Sequence, residues 1–458
     1  MRVTLIGHAT LLFETSEATV LVDPVLSDPF EGGAVSSWPE RVVDLAALPR
    51  PDYVVVSHRH PDHFDIPSLA MLPTDATALI PRDPLLAHAL ERLGWKRIQA
   101  LDPHRPLSSF DLQIAATPSE EPVIEVGLVV ADSSGAVFDQ VDTAPSSATI
   151  AALRARFRLT AHFARYASQN FEYFESRHTA FPWAEHARNL ETAAALSAEL
   201  VVPGSAGFRF TGAHAWLNRF LFPVSRRAFL ADLLRVAPEL RGDSLDPGDV
   251  LEVEGGAVRV ARAASPFVRT RRGGDEELRF DPTAQVPDLT DPNPEARSAT
   301  ELADGVRRIV GALAQWALAP ERPLSVPWRY RRGGVPYGLE VVFPDGGVAR
   351  FVLDLGVAPK LHDLGGASFA PEPTVVHRIA ASALVDWAER RRDFFSVRAY
   401  SRRCSTARHT YGDAAGVTVT PLELPDLLMF WLLSESEGAE DAARRRVDRQ
   451  IAEVRRPA

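Results

Sequence analysis

The feature that most constrains this chain is a cluster of potential metal ligands directly after a short run of β-forming residues. The apolar run at 53–56 is followed by His58, His60, Asp62 and His63. A short β-branched segment that ends in turn-forming residues is typical of a buried strand in a central sheet. Because sites in open α/β sheets gather at the carboxyl ends of the strands, we expect these four side chains at the end of this strand.

The spacing within the cluster indicates two metal ions. Histidines at alternate positions, here His58 and His60, can converge on one ion through neutral imidazole nitrogens. The adjacent pair Asp62 and His63 can point the other way around a tight loop and serve a second ion. Any one of these histidines could instead be hydrogen-bonded in a solvated turn, but that interpretation accounts poorly for the whole cluster.

Length, charge and cysteine content limit the class of protein. The chain has 458 residues, which is too many for one ordinary core, so we expect two domains. A net charge of −10 leaves no basic stripe for nucleic acid. The single cysteine, Cys404, allows no intramolecular disulfide, which fits a cytoplasmic protein. No apolar run approaches the roughly 20 residues that span a bilayer, and the segment 1–8 reads as a strand rather than a signal peptide, so we expect no membrane insertion.

The His-x-His-x-Asp-His stretch resembles the signature of the metallo-β-lactamase superfamily, whose members stack two β-sheets between helices around a one- or two-metal site. Two amino-terminal segments, GHAT at 7–10 and LVDPVLS at 21–27, resemble the opening hairpin of the lactonase and phospholipase-D-like branch of that family. The resemblance implies an α/β fold, with an αββα sandwich as the catalytic domain over residues 1–265.

The resemblance also implies where the remaining metal ligands lie. A third histidine is expected after the strand near 112–117, but Glu121 stands at that position. The bridging aspartate corresponds to Asp142 and the last histidine to His214. The implied set is therefore His58, His60 and Glu121 on one ion, and Asp62, His63 and His214 on the other, with Asp142 between them. Asp62 and Glu121 are also the residues to which we assign catalytic roles.

Several of these positions have rivals nearby in the sequence. Glu120 competes with Glu121, and Asp139 competes with Asp142. His178 and His186 compete with His214, although both lie in or beside an aromatic and arginine-rich insertion at 153–186, where a role near the substrate is more natural.

The carboxylate content of this set favours oxygen chemistry. Hydrolytic zinc sites of this fold usually keep histidine where Glu121 stands, whereas added carboxylate compensates a higher positive charge and suits iron. The chain resembles the CMP-N-acetylneuraminate hydroxylase-like group, without its Rieske domain, and the diiron β-hydroxylase of chloramphenicol biosynthesis. These resemblances imply a non-haem diiron oxygenase that uses O2 and an external electron donor to oxidise a small molecule, in specialised metabolism for example.

Two other functions stay open. A dinuclear zinc or manganese hydrolase could cleave a lactone, a phosphodiester or an amide at the same site. Alternatively, the site could be degenerate and the chain could be a metal-binding protein without turnover.

The carboxyl-terminal part of the sequence predicts a separate domain. A polar segment at 266–297 reads as a linker. Beyond it, the pattern predicts a helix over 298–318, strands at 337–343 and 349–355, and helices near 375–391 and 422–434. This α+β domain, 298–458, resembles a sterol-carrier-like fold and could serve in homodimerisation or cover the active site.

Overall fold

The computed structural model describes the whole chain except residues 122, 168–180, 275–276, 320–324, 374, 406–408, 413–418, 423, 433–438 and 456–458. Within the described residues, one compact unit contains 1–167, 182–281 and 447–455, and a second contains 181 and 282–446. In this part of the chain, no helix combines the length and the apolar composition needed to cross a membrane.

Eighteen strands are described in the first compact unit. They are β1 (Arg2–Gly7), β2 (Thr10–Glu14), β3 (Thr19–Val22), β4 (Val35–Ser37), β5 (Glu40–Val43), β6 (Tyr53–Val55), β7 (Thr77–Ile80), β8 (Arg97–Ala100), β9 (Leu107–Ser108), β10 (Gln113–Pro118), β11 (Val126–Asp132), β12 (Gly135–Asp139), β13 (Leu159–Arg165), β14 (Leu200–Gly204), β15 (Phe208–Phe210), β16 (Val250–Glu254), β17 (Ala257–Ala261) and β18 (Val268–Arg272). Its α-helices span Ile66–Met71, Pro84–Leu93, Ser147–Arg156, Trp183–Leu196, Asn218–Leu221 and Arg226–Val236.

Most of these strands form two large sheets. The first has the order β17-β16-β1-β2-β3-β6-β7-β8 and the second the order β14-β13-β12-β11-β10-β9. The first sheet is antiparallel from β17 to β3 and parallel from β3 to β8. In the second sheet, β12, β13 and β14 run parallel. These parallel segments supply the strand ends that carry the metal cluster.

The two sheets pack face to face, and helices cover the second sheet on its other side. One hydrophobic core joins residues from both sheets, among them Val20 and Val55 from the first and Ile114 and Val137 from the second. The neighbouring Phe138 belongs instead to a cluster with Leu153 and Leu196 of the outer helices. Because side chains alternate between the faces of a strand, adjacent residues fill different cores. This arrangement is the predicted αββα sandwich.

A buried arginine fixes the turn at the end of β1. Arg41 donates from Nη1 to the carbonyl of Ile6 at 3.0 Å and from Nη2 to that of Val25 at 2.5 Å. Gly7 has a φ of +147°, and a Cβ there would lie 2.7 Å from Arg41 Nη1. Only glycine therefore lets the guanidinium approach the backbone that leads into His8.

The first compact unit extends into the segment that we predict as a linker. Strand β18 lies within 266–297 and pairs with β5, and the unit runs to Asp281. Phe267 and Val268 are both buried, and this apolar pair anchors the segment to the unit. The linker prediction is therefore wrong for the start of this segment.

The second compact unit contains a mixed five-stranded sheet. Its strands are β19 (Tyr337–Val342), β20 (Val348–Asp354), β21 (Lys360–Gly365), β22 (Val375–Ala380) and β23 (Ser401–Ser405), in the order β21-β20-β19-β22-β23, beside a hairpin of β24 (His409–Gly412) and β25 (Val419–Leu422). Its helices span Ala299–Leu318, Val326–Gly333, Ala381–Ala388, Phe394–Val397 and Leu427–Phe430, and a last helix spans Ala439–Val454.

The predicted helix near 298–318 and the two predicted strands are present, but the predicted helix near 375–391 is wrong in its first half. Val375–Ala380 is a strand because it pairs in parallel with β19 and antiparallel with β23 in the interior of the sheet. Its β-branched residues suit that position, and the helix begins only at Ala381. The resemblance to a sterol-carrier-like fold, and a role in homodimerisation or in covering the site, stay predictions.

Candidate metal centre

The loop after β6 delivers several candidate ligands because it closes in a tight turn. The backbone amides of His63 and Phe64 both donate to the carbonyl of His60, at 3.0 and 2.8 Å. The turn brings His63 back beside His58, with ring centroids 4.3 Å apart. Asp65 then caps the next helix by accepting from the amide of Ser68, which ends the loop.

Two groups of potential ligands share His63. One contains His8, Asp62 and His63, and the other contains His58, His63 and Asp142. In the first group, His8 Nε2 lies 3.2 Å and His63 Nε2 3.8 Å from Asp62 Oδ2. In the second, Asp142 Oδ2 lies 3.5 Å from His63 Nε2 and 3.9 Å from His58 Nε2. The structure therefore brings His58, Asp62, His63 and Asp142 together, although it groups His58 with His63, which the sequence analysis assigns to different ions.

His60 lies beside this cluster. Its Nδ1 is 2.9 Å from Nε2 of His58, and the two rings meet edge to face with centroids 4.5 Å apart. The two imidazoles at alternate positions thus lie in contact, while His60 belongs to neither ligand group and its role as a ligand stays a prediction.

Asp23 orients His63 from behind. It follows β3, the parallel neighbour of β6, and its carboxylate is fully buried. Oδ2 lies 2.8 Å from Nδ1 of His63 and accepts from the hydroxyl of Ser57 at 2.6 Å, while Oδ1 accepts from the amide of Ser57 at 2.7 Å. A carboxylate at Nδ1 holds a proton there, so Nε2, which faces Asp62 and Asp142, is the nitrogen through which His63 can bind a metal.

The electrostatics of the cluster are those of closely packed imidazoles and carboxylates. Burial, with His63 and His60 nearby, lowers the pKa of His58 well below its ordinary value. Burial also acts to lower the pKa of His63, but the charges of Asp142 and Asp62 outweigh it and raise that pKa well above the ordinary value. In turn, His63 outweighs the effect of burial on Asp62 and Asp142 and holds the pKa of each carboxyl below its usual range.

The donor set fits metal ions. His63 Nε2 is buried and has no hydrogen-bond partner among the described residues, although carboxylate oxygens of Asp142 and Asp62 lie 3.5 and 3.8 Å from it. A metal ion between these groups would take the place of the proton on this nitrogen and would satisfy both carboxylates. Imidazole and carboxylate together suit zinc, iron or manganese. The residues present could therefore hold a dinuclear centre, with His63 next to both positions.

The structure does not bring Glu121 into either group. Its side chain is 41% exposed, and Oε1 accepts from Nη1 of Arg165 at 3.1 Å. The same Nη1 donates to the backbone carbonyl of Asp142 at 2.8 Å. Glu120, its rival, is also exposed and belongs to neither group. The metal-binding and catalytic roles of Glu121 stay predictions.

A different glutamate of the same loop is buried beside the cluster. Glu125 is only 7% exposed and accepts from the hydroxyl of Ser119 at 2.5 Å. The amide of Val126 donates to the carbonyl of Ser57 at 3.3 Å, which places Glu125 next to the strand end that carries His58. Burial raises the pKa of Glu125, and the charge of Asp142 raises it further. Sequence reasoning missed this residue, whose signal is a carboxylate immediately before a buried strand.

His214 also lies outside both groups. It is buried in the 3-10 helix Gly212–Leu217, and its ring stacks on Phe210 with centroids 6.5 Å apart. Its role as a ligand stays a prediction. Of its rivals, His186 has Nε2 3.1 Å from Oδ2 of Asp232, and His178 lies outside the described residues.

The imidazole next to Asp62 is His8, which lies in the GHAT segment and is not among the ligands that the resemblance implies. It follows β1 with a φ of +49°, and Phe208 and Phe30 flank its ring at centroid distances of 5.1 and 6.4 Å. Its signal in the sequence is a histidine in the turn between two apolar strands.

Between the two aspartates near the end of β12, the structure brings Asp142 into the cluster and leaves Asp139 out. Asp139 is buried and accepts from the amide of Val141 at 3.1 Å. Burial and the charge of Asp23 raise its pKa to about 8.

Comparison with known proteins supports the resemblance over the first part of the chain. Residues 2–126 match the family model described as a beta-lactamase superfamily domain. This span holds β1–β10, the His58–His63 loop and His8. The predicted resemblance to the superfamily is confirmed there.

The curated relatives match only segments. A putative Rieske 2Fe-2S iron-sulfur protein of Mycobacterium tuberculosis is 35% identical over 160 residues, which are 32% of this chain and 30% of that protein. The 4-amino-L-phenylalanyl-peptidyl-carrier-protein 3-hydroxylase of Streptomyces venezuelae is 32% identical over 124 residues, which are 25% of this chain and 22% of the hydroxylase. The matches thus span less than a third of either relative.

Among solved structures, an isothiocyanate hydrolase from Delia radicum gut bacteria aligns with a TM-score of 0.40 and 18% identity, over 56% of this chain and all of the hydrolase.

Proposed function

We propose that this protein is a non-haem diiron oxygenase that uses O2 to oxidise a small molecule. The observation that carries the proposal is the carboxylate content of the buried centre. Asp62 and Asp142 belong to the ligand groups, and Glu125 is buried beside them in the loop where a histidine is expected for hydrolysis. The sequence similarity to a 3-hydroxylase supports the same class of reaction.

Charge balance explains why these carboxylates favour iron. Two divalent cations bring four positive charges, and Asp62, Asp142 and Glu125 would bring three negative charges against them. Imidazoles bring none when they bind a metal. A centre with this much anionic oxygen tolerates a further increase in positive charge, which suits iron in its ferric state more than zinc, whose charge does not change.

The chain's own residues would hold and shield the centre, and iron would supply the activation of O2. Asp23 fixes the tautomer of His63, and Arg165 fixes the loop of Asp142 through its backbone carbonyl. Phe30 and Phe208 form an apolar wall against His8, which limits access of water from that side.

Electrons would come from an external donor. A Rieske cluster needs paired cysteine ligands, and the sequence has one cysteine. We therefore propose a separate reductase or redox protein as the partner in turnover.

A dinuclear zinc or manganese hydrolase is the second candidate, and His8 favours it. This histidine adds a nitrogen donor next to Asp62, and nitrogen-rich donor sets suit zinc. Metal-bound hydroxide would then attack a lactone, a phosphodiester or an amide.

Oxygen uptake by the reduced, iron-loaded protein tests the proposal, with two matched variants and their iron content measured on the same samples. Glu125→Gln removes the buried carboxylate, and we expect it to lower both iron content and uptake. Glu121→Gln removes the exposed carboxylate of the same loop, and comparing the two variants decides which glutamate the bound iron and the uptake depend on. If the iron-loaded wild type consumes no oxygen while a zinc-loaded sample hydrolyses esters, the oxygenase proposal is wrong and the hydrolase proposal replaces it. If Glu121→Gln alone loses iron, the ligand is Glu121.

A further inference from the structure

The turn that carries Asp142 contains a strained residue. Val141, directly before Asp142, has a φ of +53° and is 1% exposed. A β-branched residue with a positive φ is an outlier, because its Cβ crowds the backbone in this region. Such a conformation persists only where the surrounding contacts enforce it. The contacts that enforce this conformation therefore also decide where Asp142 lies.

The side chain of Gln140 supplies three of these contacts. Gln140 is 2% exposed, and its Nε2 donates across the turn to the carbonyl of Thr143 at 2.9 Å. Its Oε1 lies 3.0 Å from Nε2 of His162 and accepts from the backbone amide of Arg165 at 3.3 Å. His162 and Arg165 both belong to β13, the parallel neighbour of β12. These three contacts, the Gln140 tether, tie both ends of the turn to the adjacent strand.

The direction of the Gln140 amide is fixed by its partners. A backbone amide can only donate and a carbonyl can only accept, so Oε1 faces Arg165 and Nε2 faces Thr143. Nε2 of His162 also faces Oε1 and is therefore the protonated nitrogen of that imidazole. Nδ1 of His162 then carries no proton, and it has no hydrogen-bond partner within the described part of the chain. The Gln140 tether thus has a single arrangement of donors and acceptors.

Arg165 also contacts the turn, but less exclusively. Its Nη1 donates to the carbonyl of Asp142 at 2.8 Å, and the same nitrogen donates to Glu121 at 3.1 Å. The Arg165 side chain is 24% exposed, whereas Gln140 and Thr143 are at most 2% exposed. Losing a buried hydrogen bond is more costly, because its partners cannot turn to water instead. The Gln140 tether is therefore the stronger constraint on the turn.

We infer that Gln140 is a positioning residue of the metal centre, which holds the turn in the conformation that directs Asp142 towards His63. Oδ2 of Asp142 lies 3.5 Å from Nε2 of His63 and 3.9 Å from Nε2 of His58. Ligands must be held within about 0.5 Å of the binding geometry, so a relaxed turn withdraws one oxygen donor. This role rests on the proposed function only in that both need a metal centre, since it requires neither iron nor O2.

Loss of the Gln140 tether should act on one metal ion. Asp142 belongs to the ligand group with His58 and His63, whereas the group of His8, Asp62 and His63 does not include it. Withdrawing Asp142 therefore weakens the first position and leaves the donors of the second in place. A general loss of stability would not distinguish the two positions.

Stepwise binding of Zn(II) to the full chain, measured by competition with a chromophoric chelator, tests this role. Gln140→Met keeps the length of the side chain and removes all three contacts of the tether. We expect one of the two binding constants to fall about 10- to 100-fold, as for other residues that support a ligand, and the other to stay at the wild-type value.

Thr160→Val is the matched control, because it removes a buried hydrogen bond between the same two strands at their opposite end. Oγ1 of Thr160 accepts from the backbone amide of Ala136 at 3.3 Å, and Thr160 is 1% exposed. Valine keeps the shape of threonine. We expect thermal unfolding to show a loss of stability in this variant and both Zn(II) constants to stay at the wild-type values.

His162→Leu weakens the Gln140 tether from its other end, since Oε1 then keeps only the amide of Arg165. We expect the same Zn(II) constant to fall by about 3- to 10-fold, as for the loss of one uncharged hydrogen bond. This variant decides the question alone if Gln140→Met does not fold.

Three results would overturn the positioning role of Gln140. They are wild-type constants in either tether variant, an equal loss at both positions, and a loss of the same size in Thr160→Val. A selective loss at one position in a protein that consumes no oxygen would support the role of Gln140 and overturn the oxygenase alone. Oxygen uptake by a protein whose Zn(II) constants are unaffected in Gln140→Met would overturn the role of Gln140 alone.

Discussion

Replacing Asp23 by asparagine should weaken metal binding at both positions, although Asp23 itself is in neither ligand group. The carboxylate accepts three hydrogen bonds, two from Ser57 and one from Nδ1 of His63. Asparagine has one oxygen and one NH2 group in their place. The amide of Ser57 can only donate, so the asparagine oxygen must stay opposite it, and the NH2 group then faces His63.

This orientation changes the tautomer of His63. The NH2 group donates to Nδ1, which moves the imidazole proton to Nε2, the atom that faces Asp62 and Asp142. A protonated Nε2 cannot bind a metal. Changes in residues that orient a ligand cost about 10- to 100-fold in metal affinity, or about 1.4–2.7 kcal/mol. Because His63 belongs to both groups, we expect losses of this size for both ions.

Competition against a chromophoric chelator, with Fe(II) and with Zn(II), measures this loss. Asp65→Asn is the matched control because Asp65 is also buried and also accepts several hydrogen bonds, from Ser27 and Ser68, but lies in neither group. It should cost about 1 kcal/mol of stability as a helix cap and leave metal affinity unchanged. Wild-type affinity in Asp23→Asn, or an equal loss in both variants, would refute the orienting role.

Three further predictions concern other parts of the chain. His8→Ala should lower the metal content by about one ion per chain, because His8 contributes to only one group, and elemental analysis that finds no loss would contradict its role. His162 is buried, and burial lowers its pKa to about 3, so the unfolded state binds its proton first as the pH falls. Between about pH 6.5 and 3 this residue should therefore reduce the free energy of unfolding by up to about 1.4 kcal/mol per pH unit, and urea titrations of His162→Leu should show a shallower dependence than the wild type. Asp426→Asn should destabilise the second compact unit by about 2–3 kcal/mol, because the buried carboxylate lies 2.8 Å from Nδ1 of His377 and accepts from the amide of Met429 at 2.7 Å. The metal content should not change. Unfolding curves identical to those of the wild type would contradict this prediction.

Asp426 also shows that a serine, a histidine and an aspartate connected by hydrogen bonds do not by themselves define an active site. His377 lies 2.7 Å from the hydroxyl of Ser401 through Nε2, so serine, histidine and Asp426 form a continuous hydrogen-bonded chain. All three are at most 2% exposed, and Ser401 is 1% exposed. A nucleophile must reach its substrate, so we interpret this chain as a satisfied polar network that joins the sheet to the helix Leu427–Phe430.

Local features of the site could be predicted from the sequence. The spacing of His58, Asp62 and His63 sets their geometry within one turn, since the amides of His63 and Phe64 close that turn on the carbonyl of His60. Asp142 lies in the short turn that follows the end of β12 at Asp139, so its position is set locally by that strand. In such cases, residues within a few positions in the sequence determine where a side chain lies.

Features that depend on distant residues could not be predicted. Glu121 and Glu125 are four residues apart in one loop, and which of them is buried depends on Arg165, which lies 44 residues away and pairs with Glu121. His8 lies more than 50 residues before Asp62, and only the packing of β1 beside β2 and β3 brings them together. The predicted helix at 375–380 is wrong for the same reason, because pairing with β19 outweighs local propensity.

Metal analysis with Mössbauer spectroscopy tests the central claim most directly. The protein would be produced in iron-sufficient medium, purified without chelators and measured before any reconstitution. We expect about two iron ions per chain, with the spectrum of an antiferromagnetically coupled diiron centre. Stoichiometric zinc without iron, or isolated iron ions that show no coupling, would contradict it.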